Sequence, residues 1–220
     1  LINYEINDNE LKKLVNNKNA VSIDDHSVIL TAKGKESILS AVINNEGSIK
    51  ANSITKKGGK IFLSSRKGKI KNSGTMIANS NHSDGGYIEV TADKIDINKG
   101  SRLLAKGAKN GGKILVGGSW QNSDENIYQA KTVTVQKNTE IDTSSIKYGM
   151  GGEIVVWSDI HNKTGKTSIK GVLLAKGGLE GGDGGRVETS GHKLDINDTT
   201  VSTKSFYGKD GEWLLDPYNI

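Results

Sequence analysis

The chain repeats one stretch, Gly85-Gly86-Tyr87-Ile88-Glu89-Val90, with small changes along most of its 220 residues. The other copies, the last of them worn, read Gly58-Gly59-Lys60-Ile61-Phe62-Leu63, Gly111-Gly112-Lys113-Ile114-Leu115-Val116, Gly151-Gly152-Glu153-Ile154-Val155-Val156, Gly184-Gly185-Arg186-Val187-Glu188-Thr189 and Asp210-Gly211-Glu212-Trp213-Leu214-Leu215. After the glycines comes an outward polar or aromatic residue, and mostly apolar residues then stand two apart, on one face of a strand. We interpret the glycines as a tight corner that needs a backbone conformation which side chains resist.

The spacing of the copies predicts the architecture. The second glycine stands at positions 59, 86, 112, 152, 185 and 211, so the steps are 27, 26, 40, 33 and 26 residues. Repeats of this length are typical of solenoids, propellers and arrays. Two more short alternating segments follow the glycine strand in three repeats, first at 94–98, 132–136 and 193–197, then at 103–105, 141–143 and 201–203. Three short strands per repeat predict the triangular coil of a parallel β-helix, because a WD-type blade needs four strands and about 40 residues.

The predicted fold class is therefore all-β, a parallel β-helix of about six coils. In such a solenoid, equivalent aliphatic side chains stack in columns, and each buried one contributes on the order of 1.5–3 kcal/mol of transfer free energy. The glycine strands predict one such column, formed by Ile61, Ile88, Ile114, Ile154 and Val187.

Some segments depart from the regular repeat. Residues 1–47 do not carry it and are predicted to form a region distinct from the repeats at 48–220. The spacing of apolar residues over Lys35–Ile43 predicts a short helix in that first region. Two of the repeats are longer than the others, which predicts loop insertions at 117–128 and 157–164. Insertions in repeat proteins often lie on the binding side.

Basic residues are concentrated near the start of the repeats, although the net charge of the whole chain is only +5. No acidic residue occurs between Glu46 and Asp84, and that interval holds eight basic residues: Lys50, Lys56, Lys57, Lys60, Arg66, Lys67, Lys69 and Lys71. We predict that all of these except Lys50 form one surface that binds an anionic partner, such as a sulfated glycan or lipopolysaccharide. The alternative is a solvated lysine-rich rim that prevents edge-to-edge aggregation.

Three of the few aromatic residues, Trp120, Tyr128 and Trp157, belong to the two longer repeats. Exposed tryptophan and tyrosine side chains beside polar groups are common anchors of interfaces, so these three are candidate binding residues. The alternative is that their rings fold back and cover the outside of a narrow rod.

Composition excludes several classes of protein. The chain has no cysteine, which rules out disulfides, thiol nucleophiles and thiolate metal sites. No run of 18 apolar residues occurs, so no transmembrane helix is predicted. The single proline, Pro217, suits strands whose backbone donors are all needed.

No catalytic, metal or cofactor site is predicted. The four histidines fall in different repeats without metal-ligand spacing, and the glycine-rich run at 177–185 lacks both a P-loop lysine and the repeated aspartates of calcium-binding repeats. The candidate carboxylates of a β-helical enzyme that acts on polysaccharides are Glu89, Glu153, Glu188 and Glu212, which stand beside the strands. Glu153 and Arg186 share one position in successive copies and could meet, and Glu212 is next in line. An ion ladder between coils explains the same pattern, so we predict that the chain is not an enzyme.

Several phrases resemble the filamentous-haemagglutinin type of two-partner secretion exoprotein. They are Val155-Val156-Trp157-Ser158-Asp159, Gly184-Gly185-Arg186-Val187-Glu188-Thr189-Ser190-Gly191-His192, Gly211-Glu212-Trp213-Leu214-Leu215-Asp216-Pro217-Tyr218-Asn219-Ile220, Val116-Gly117-Gly118-Ser119-Trp120 and the run from Leu30 to Ala51. Within that family the chain is most similar to the high-molecular-weight adhesins and the haem–haemopexin-binding exoprotein.

The resemblance implies a right-handed parallel β-helix from a secreted or surface-located protein of a Gram-negative bacterium, in which residues 1–47 are the end of a secretion-domain-like region. Its implied partners are an outer-membrane two-partner secretion transporter and a host-surface glycan or protein receptor, with no nucleic acid. The alternative function is capture of haem-loaded haemopexin. Because some of those adhesins are glycosylated at Asn-x-Ser/Thr, the resemblance also implies candidate glycosylation at Asn81, Asn162 and Asn197.

Overall fold

The chain winds into a three-sided solenoid of short parallel strands. A computed structural model describes residues 2–5, 15–17, 21–23, 27–31, 42–51 and 59–218. These ranges contain twenty strands and one short 3₁₀ helix, Trp120–Asn122. The strands form three flat faces, here named A, B and C, and each turn of the chain visits the faces in that order.

The strands of the three faces have the following bounds. Face A consists of β1 (Ile2–Glu5), β4 (Ser27–Thr31), the first part of β7 (Lys60–Asn72), the first part of β9 (Tyr87–Ile97), β11 (Lys113–Val116), β14 (Glu153–Trp157), β17 (Arg186–Gly191) and β20 (Glu212–Pro217). Face B consists of β2 (Val15–Asn17), β5 (Val42–Asn45), the second parts of β7 and β9, β12 (Thr132–Val135), β15 (Lys166–Ile169) and β18 (Lys193–Asp195). Face C consists of β3 (Val21–Ile23), β6 (Ser48–Ala51), β8 (Thr75–Ile77), β10 (Arg102–Leu104), β13 (Glu140–Asp142), β16 (Val172–Leu174) and β19 (Thr200–Ser202).

The column predicted from the glycine strands is present. On face A, Ile61 pairs with Ile88, Ile88 with Ile114, Ile114 with Ile154, and Ile154 with Val187. All five side chains are fully buried. The interior therefore consists of like residues stacked layer on layer, and the prediction of a parallel β-helix is confirmed.

Faces B and C supply matching columns to the same core. Their inward side chains include Ile70, Ile95 and Val133 on face B, and Met76, Leu103, Ile141 and Leu173 on face C. These residues form one continuous buried cluster with the column of face A. Polar side chains also stack inside, because the amide of Asn45 donates to the Asn72 side-chain oxygen in the next coil at 2.6 Å.

The paired glycines are required for a different reason from the one predicted. Among the residues that the structure describes, the positive-φ glycines are Gly100, Gly117, Gly149, Gly181 and Gly182, so no glycine of a described corner pair adopts that conformation. Instead, successive corners stack in close contact. A Cβ atom would overlap a carbonyl oxygen of the preceding corner at four of the second glycines: Gly112, Gly152, Gly185 and Gly211. The corner therefore needs glycine because the backbones of neighbouring coils approach closely.

The ladders continue on both sides of residue 47. On face A, β4 pairs with β7 in parallel, and on face B, β5 pairs with β7. The division of the chain between residues 47 and 48 stays a prediction.

Residues 35–41 of the helix predicted over Lys35–Ile43 lie outside the described ranges. Its last two residues, Val42 and Ile43, lie in β5 instead. Ile43 is fully buried and pairs with Val15 and Ile70 on face B. The apolar spacing at this end therefore reflects a strand of the ladder rather than a helix.

Both predicted loop insertions leave the solenoid between faces A and B. The longer one, 117–130, begins at Gly117 and returns at Ala130, whose amide donates to the Gly117 carbonyl at 2.8 Å. The shorter loop follows Trp157 and returns at Gly165, which lies against the start of the loop, since a Cβ atom built on it would lie 2.3 Å from the Asp159 carbonyl oxygen. Because their ends lie close together, both loops extend the outer surface without interrupting the stack of coils.

Candidate functional site

The longer loop covers an apolar patch on the outside of face A. Leu115, Val155 and Trp157 point away from the core and are nevertheless buried. Trp120 and Ile127 of the loop pack against them. Face A is therefore apolar on both sides in its middle coils, and residues 117–130 keep water from the outer side.

A cation–π contact and an ion ladder hold the start of this loop. The Arg186 guanidinium lies 4.2 Å from the centre of the Trp120 ring. Arg186 Nε donates to Glu153 Oε2 at 2.7 Å, and Lys113 Nζ lies 2.7 Å from Glu153 Oε1. Glu153 and Arg186 therefore meet in adjacent coils, and Glu212 follows Arg186 in the register.

The candidate aromatic residues all pack against the solenoid. Trp157 is 1% exposed, and its indole nitrogen donates to the Gln129 side-chain oxygen at 3.1 Å. Trp120 and Tyr128 are half-buried. The positions of these rings fit the alternative in which they cover the outside of the rod. A role for them in binding stays a prediction.

Tyr128 contacts the solenoid near the C-terminal end of the loop, at the corner between faces A and B. Its hydroxyl donates to Asp93 Oδ1, and Lys131 Nζ lies 2.6 Å from Asp93 Oδ2. The Arg66 guanidinium lies 5.8 Å from the centre of the Tyr128 ring. Burial and the hydrogen bond to Asp93 raise the pKa of Tyr128 to about 12, so this hydroxyl stays protonated.

Glu188, a candidate catalytic carboxylate in the sequence, instead anchors the loop. It is fully buried beneath the loop, and its carboxylate accepts a hydrogen bond from the Gln121 amide at 2.8 Å and one from the Ser190 hydroxyl at 2.9 Å. Burial raises the pKa of Glu188. The repeat contains a signal for the burial of Glu188, because this residue stands in register with the apolar residues Leu115 and Val155.

The burial of Glu188 predicts a pH-dependent contribution to stability. Because the folded protein holds this proton more tightly than the unfolded chain, the free energy of unfolding should fall as pH rises from about 4.3 through the raised pKa. Glu188→Gln should remove this contribution, so the variant should gain stability relative to the original chain as pH increases. Urea denaturation at about pH 4 and about pH 8 measures the change.

The control for this prediction is Glu212→Gln, which removes an exposed carboxylate from the next coil. That substitution should change the relative stability less between the two pH values, because its side chain remains in water. A stability difference between Glu188→Gln and the original chain that stays constant with pH would contradict the prediction.

The basic run predicted as one surface is divided between two faces and a corner. Lys60 lies on face A and pairs in register with Tyr87, whereas Lys69 and Lys71 lie on face B. Arg66 and Lys67 are exposed at the corner between these faces, where the register shifts by a bulge. Lys69 Nζ lies 2.5 Å from Asp96 Oδ2. Lys56 and Lys57 lie outside the described residues, and the binding role of this group stays a prediction.

Lys60 belongs to a groove at the corner between faces C and A. The groove has a volume of about 340 Å³, and its lining residues include Lys60, Tyr87, Lys113 and the stacked glycines Gly86 and Gly112. The Tyr87 hydroxyl donates to Glu89 at 2.6 Å, and burial raises its pKa. The groove thus presents an aromatic ring between two lysines that stand in register with it.

The three candidate glycosylation residues differ in accessibility. Asn81 and Asn197 are exposed, whereas Asn162 is half-buried in the shorter loop. The Asn162 side-chain oxygen accepts hydrogen bonds from the Thr164 amide at 3.0 Å and from its hydroxyl at 2.8 Å. Glycosylation at these positions stays a prediction.

The described ranges hold neither a metal-binding cluster nor a membrane-spanning helix. They contain no cluster of three or more histidine, cysteine, aspartate or glutamate side chains arranged to hold a metal ion. Within the same ranges, no helix has the length and apolar character needed to cross a membrane.

The fold and its covered outer face define an all-β solenoid of stacked parallel coils. No protein-family model and no curated protein matches the chain. Among solved structures, it is similar to the HMW1 secretion domain from Haemophilus influenzae, with a TM-score of 0.74 and 28% sequence identity. The match covers 91% of this chain and 49% of that one, so the chain spans about half the length of the solved domain. This similarity supports a relation to two-partner secretion exoproteins at the level of the family.

Proposed function

We propose that this chain is part of a secreted bacterial exoprotein that is exported across the outer membrane by a two-partner secretion transporter. The observation that carries the proposal is the structural similarity to the HMW1 secretion domain over most of the chain. The sequence phrases that resemble the same group of exoproteins support it independently.

The architecture suits a chain that folds as it emerges from a pore. Every strand pairs with strands of the adjacent coils, as Ile114 does with Ile88 and Ile154. In a solenoid of this kind, stability is a sum of coil and neighbour terms, so folding can begin in any coil and propagate to its neighbours. Each new coil finds its template in the one before it, and the complete chain is not needed for the first coils to form.

Export in the presence and absence of the transporter tests the proposal. When the parent reading frame is expressed with its partner transporter, the protein should accumulate in the culture medium. Without the transporter, the protein should be retained in the cells, on the periplasmic side of the outer membrane. Equal amounts in the medium under both conditions would overturn the proposal.

We also propose that the secreted rod binds a host-surface glycan or receptor and acts as an adhesin. The exposed basic corner at Arg66 and Lys67 and the groove between Lys60 and Lys113 support this surface role. Glycan-array and cell-binding measurements on the purified chain test it, and absence of binding in both would leave a scaffold or export role. Complex formation with haem-loaded haemopexin, but with no glycan or cell, would favour the capture function instead.

The positions of the glutamates support a non-enzymatic role. Glu188 is covered by the 117–130 loop, and Glu153 is paired with both Lys113 and Arg186. A glycosidase-type pair needs one carboxylate that can reach a sugar and another that can exchange a proton with it. Neither group has that access in this arrangement.

A further inference from the structure

The loop at 117–130 has a base that belongs to the solenoid and an outer part that only lies on it. At the base, the Gly117 amide donates to the Val90 carbonyl at 2.9 Å, and the Ala130 amide donates to the Gly117 carbonyl at 2.8 Å. The outer part, residues 119–128, is here called the strap. Because the base keeps its own hydrogen bonds, the strap can leave face A without breaking the ladder of the coils.

Hydrogen bonds within the strap join its residues into one unit. The Asn122 amide donates to the Ser119 carbonyl at 3.0 Å, and the Asp124 amide donates to the Ser119 hydroxyl at 3.0 Å. The Ile127 amide in turn donates to the Asp124 carbonyl at 3.1 Å. Residues 123–126, in the middle of the strap, are all exposed. None of these bonds involves face A, so the strap can move as one piece.

The first half of the strap has a strained backbone. Gln121 has a φ of +47° and Asn122 a φ of +51°, so two successive residues with side chains occupy the left-handed region. This region is costly for residues other than glycine, and asparagine enters it more readily than glutamine. Such strain persists where surrounding contacts impose it. Here the Trp120 ring lies against Arg186 and the Gln121 amide donates to Glu188, so contacts with face A hold the strained residues in place.

Two polar groups are buried at the same place. Glu188 is fully buried, and its carboxylate accepts hydrogen bonds from the Gln121 amide and the Ser190 hydroxyl. Among the residues that the structure describes, no lysine, arginine or histidine forms an ion pair with Glu188. Asn122 Oδ1 is also buried and has no hydrogen-bond partner within that part of the chain. Both groups would gain free energy from contact with water.

The charged groups that face Glu188 add to the cost of its burial. Burial is the main reason that its pKa is raised, and the negative charges of Asp216 on β20 and Glu153 on β14 raise the pKa further. Arg186, on the same strand, is engaged by Glu153 and by the Trp120 ring. The closed strap therefore disfavours the ionised carboxylate, and contact with water would return the pKa towards its ordinary range.

We infer that the strap opens as a unit while the solenoid stays folded, and that its opening uncovers the apolar outer side of face A. Burial of Trp120 and Ile127 and the Tyr128 hydrogen bond favour closure, whereas the strained backbone and the buried polar groups favour opening. Because the closed strap holds the proton of Glu188 more tightly than the open strap does, opening should increase as pH rises from about 4.3 through the raised pKa.

Two adjacent residues of β11 distinguish opening of the strap from unfolding of the whole chain. Leu115 points outward beneath the strap, Ile114 points into the core, and both are fully buried. The chain has no cysteine, so Leu115→Cys and Ile114→Cys each introduce a single thiol. In the purified chain, a thiol reagent should modify Leu115→Cys about tenfold faster or more, because local opening needs less free energy than global unfolding.

Glu188→Gln tests the pH dependence of opening. The Leu115→Cys thiol should be modified faster at about pH 8 than at about pH 5, after correction for the pH dependence of thiol reactivity itself. Leu179→Cys supplies that correction, because Leu179 is exposed. Adding Glu188→Gln to Leu115→Cys should remove most of the corrected increase, since glutamine does not ionise.

Gln121→Gly tests the strain, with Ser123→Gly as the matched control in the same strap. Glycine accepts a positive φ and keeps the amide that donates to Glu188, so Gln121→Gly should slow modification of Leu115→Cys about threefold. Ser123 has a φ of −74°, so glycine relieves no strain there, and Ser123→Gly should not slow the reaction.

Equal rates for Ile114→Cys and Leu115→Cys would overturn the inference, because the strap would then open only when the whole chain unfolds. A corrected pH dependence that Glu188→Gln leaves unchanged would also contradict it, as would a rate for Gln121→Gly no lower than that for Ser123→Gly. The measurements need neither a transporter nor a ligand, so their outcome is independent of the proposed export and binding.

Discussion

Gly152→Ala should lower the free energy of unfolding by about 3 kcal/mol or more, at the upper end for overpacking. A Cβ atom at this position would overlap the carbonyl oxygen of Gly112 in the preceding coil. That same oxygen accepts the Glu153 amide at 2.9 Å, so the methyl group would also disturb the ladder of face A. Urea denaturation monitored by circular dichroism measures the loss.

Gly100→Ala is the matched control for this substitution. Gly100 has a φ of +82° and no atom within 4 Å of a Cβ built on it. Alanine there pays only the conformational cost of the left-handed region, about 1–2 kcal/mol. The two substitutions thus distinguish the effect of close contact between coils on the free energy of unfolding from the effect of backbone conformation. Equal losses at Gly152 and Gly100 would contradict the conclusion that the corner glycines are required by contact between coils.

Ile154→Ala should destabilise the protein by about 2–5 kcal/mol, because it removes buried atoms and leaves a cavity. Ile154 is fully buried in the middle of its column, between Ile114 and Val187. The coils above and below are fixed by their own ladders, so they cannot collapse into the space. The free energy of unfolding from urea denaturation measures the effect.

Leu179→Ala is the control, since it removes a similar apolar side chain that is 59% exposed. Its effect should stay within about 0.5 kcal/mol, as for most surface substitutions. If Ile154→Ala were as mild as Leu179→Ala, the column could not be the main source of stability.

The sequence predicted the solenoid because its core repeats. Strand residues two apart share a face, and the steps between glycine pairs match one turn of three strands. Ile61, Ile88 and Ile114 could therefore be assigned to one column without knowledge of the loops. The reason for the glycines could not be predicted in the same way, since contact between backbones of neighbouring coils does not appear in a local sequence.

The covered outer side of face A is also marked in the sequence. In Ile88-Glu89-Val90, apolar and polar residues alternate, as expected for a strand with one solvent-exposed face. In contrast, Ile114-Leu115-Val116 and Ile154-Val155-Val156 are apolar throughout. Continuous apolar runs are typical of strands buried on both faces. They indicate that something covers these coils, and the insertion at 117–130 is the segment long enough to do so.

The charge pattern shows the limit of reasoning from linear sequence. The dense basic run near the start of the repeats is split between faces A and B by the corner at Arg66 and Lys67. Conversely, Lys94, Lys166 and Lys193 lie in one row although they are far apart in the chain. Only the register of the ladders brings them together, and a one-residue change in register would point them inward.

The register itself can be measured directly, because the chain contains no cysteine. Thr132 and Lys166 are paired residues on face B, so their Cα atoms should lie about 4.8 Å apart, within the range for a disulfide. Thr132→Cys with Lys166→Cys should therefore form a disulfide on mild oxidation. Thr132→Cys with Ser168→Cys should not, because that diagonal is roughly 7–8 Å. Equal cross-linking of both pairs, or cross-linking of the diagonal pair alone, would contradict a solenoid of parallel coils in this register.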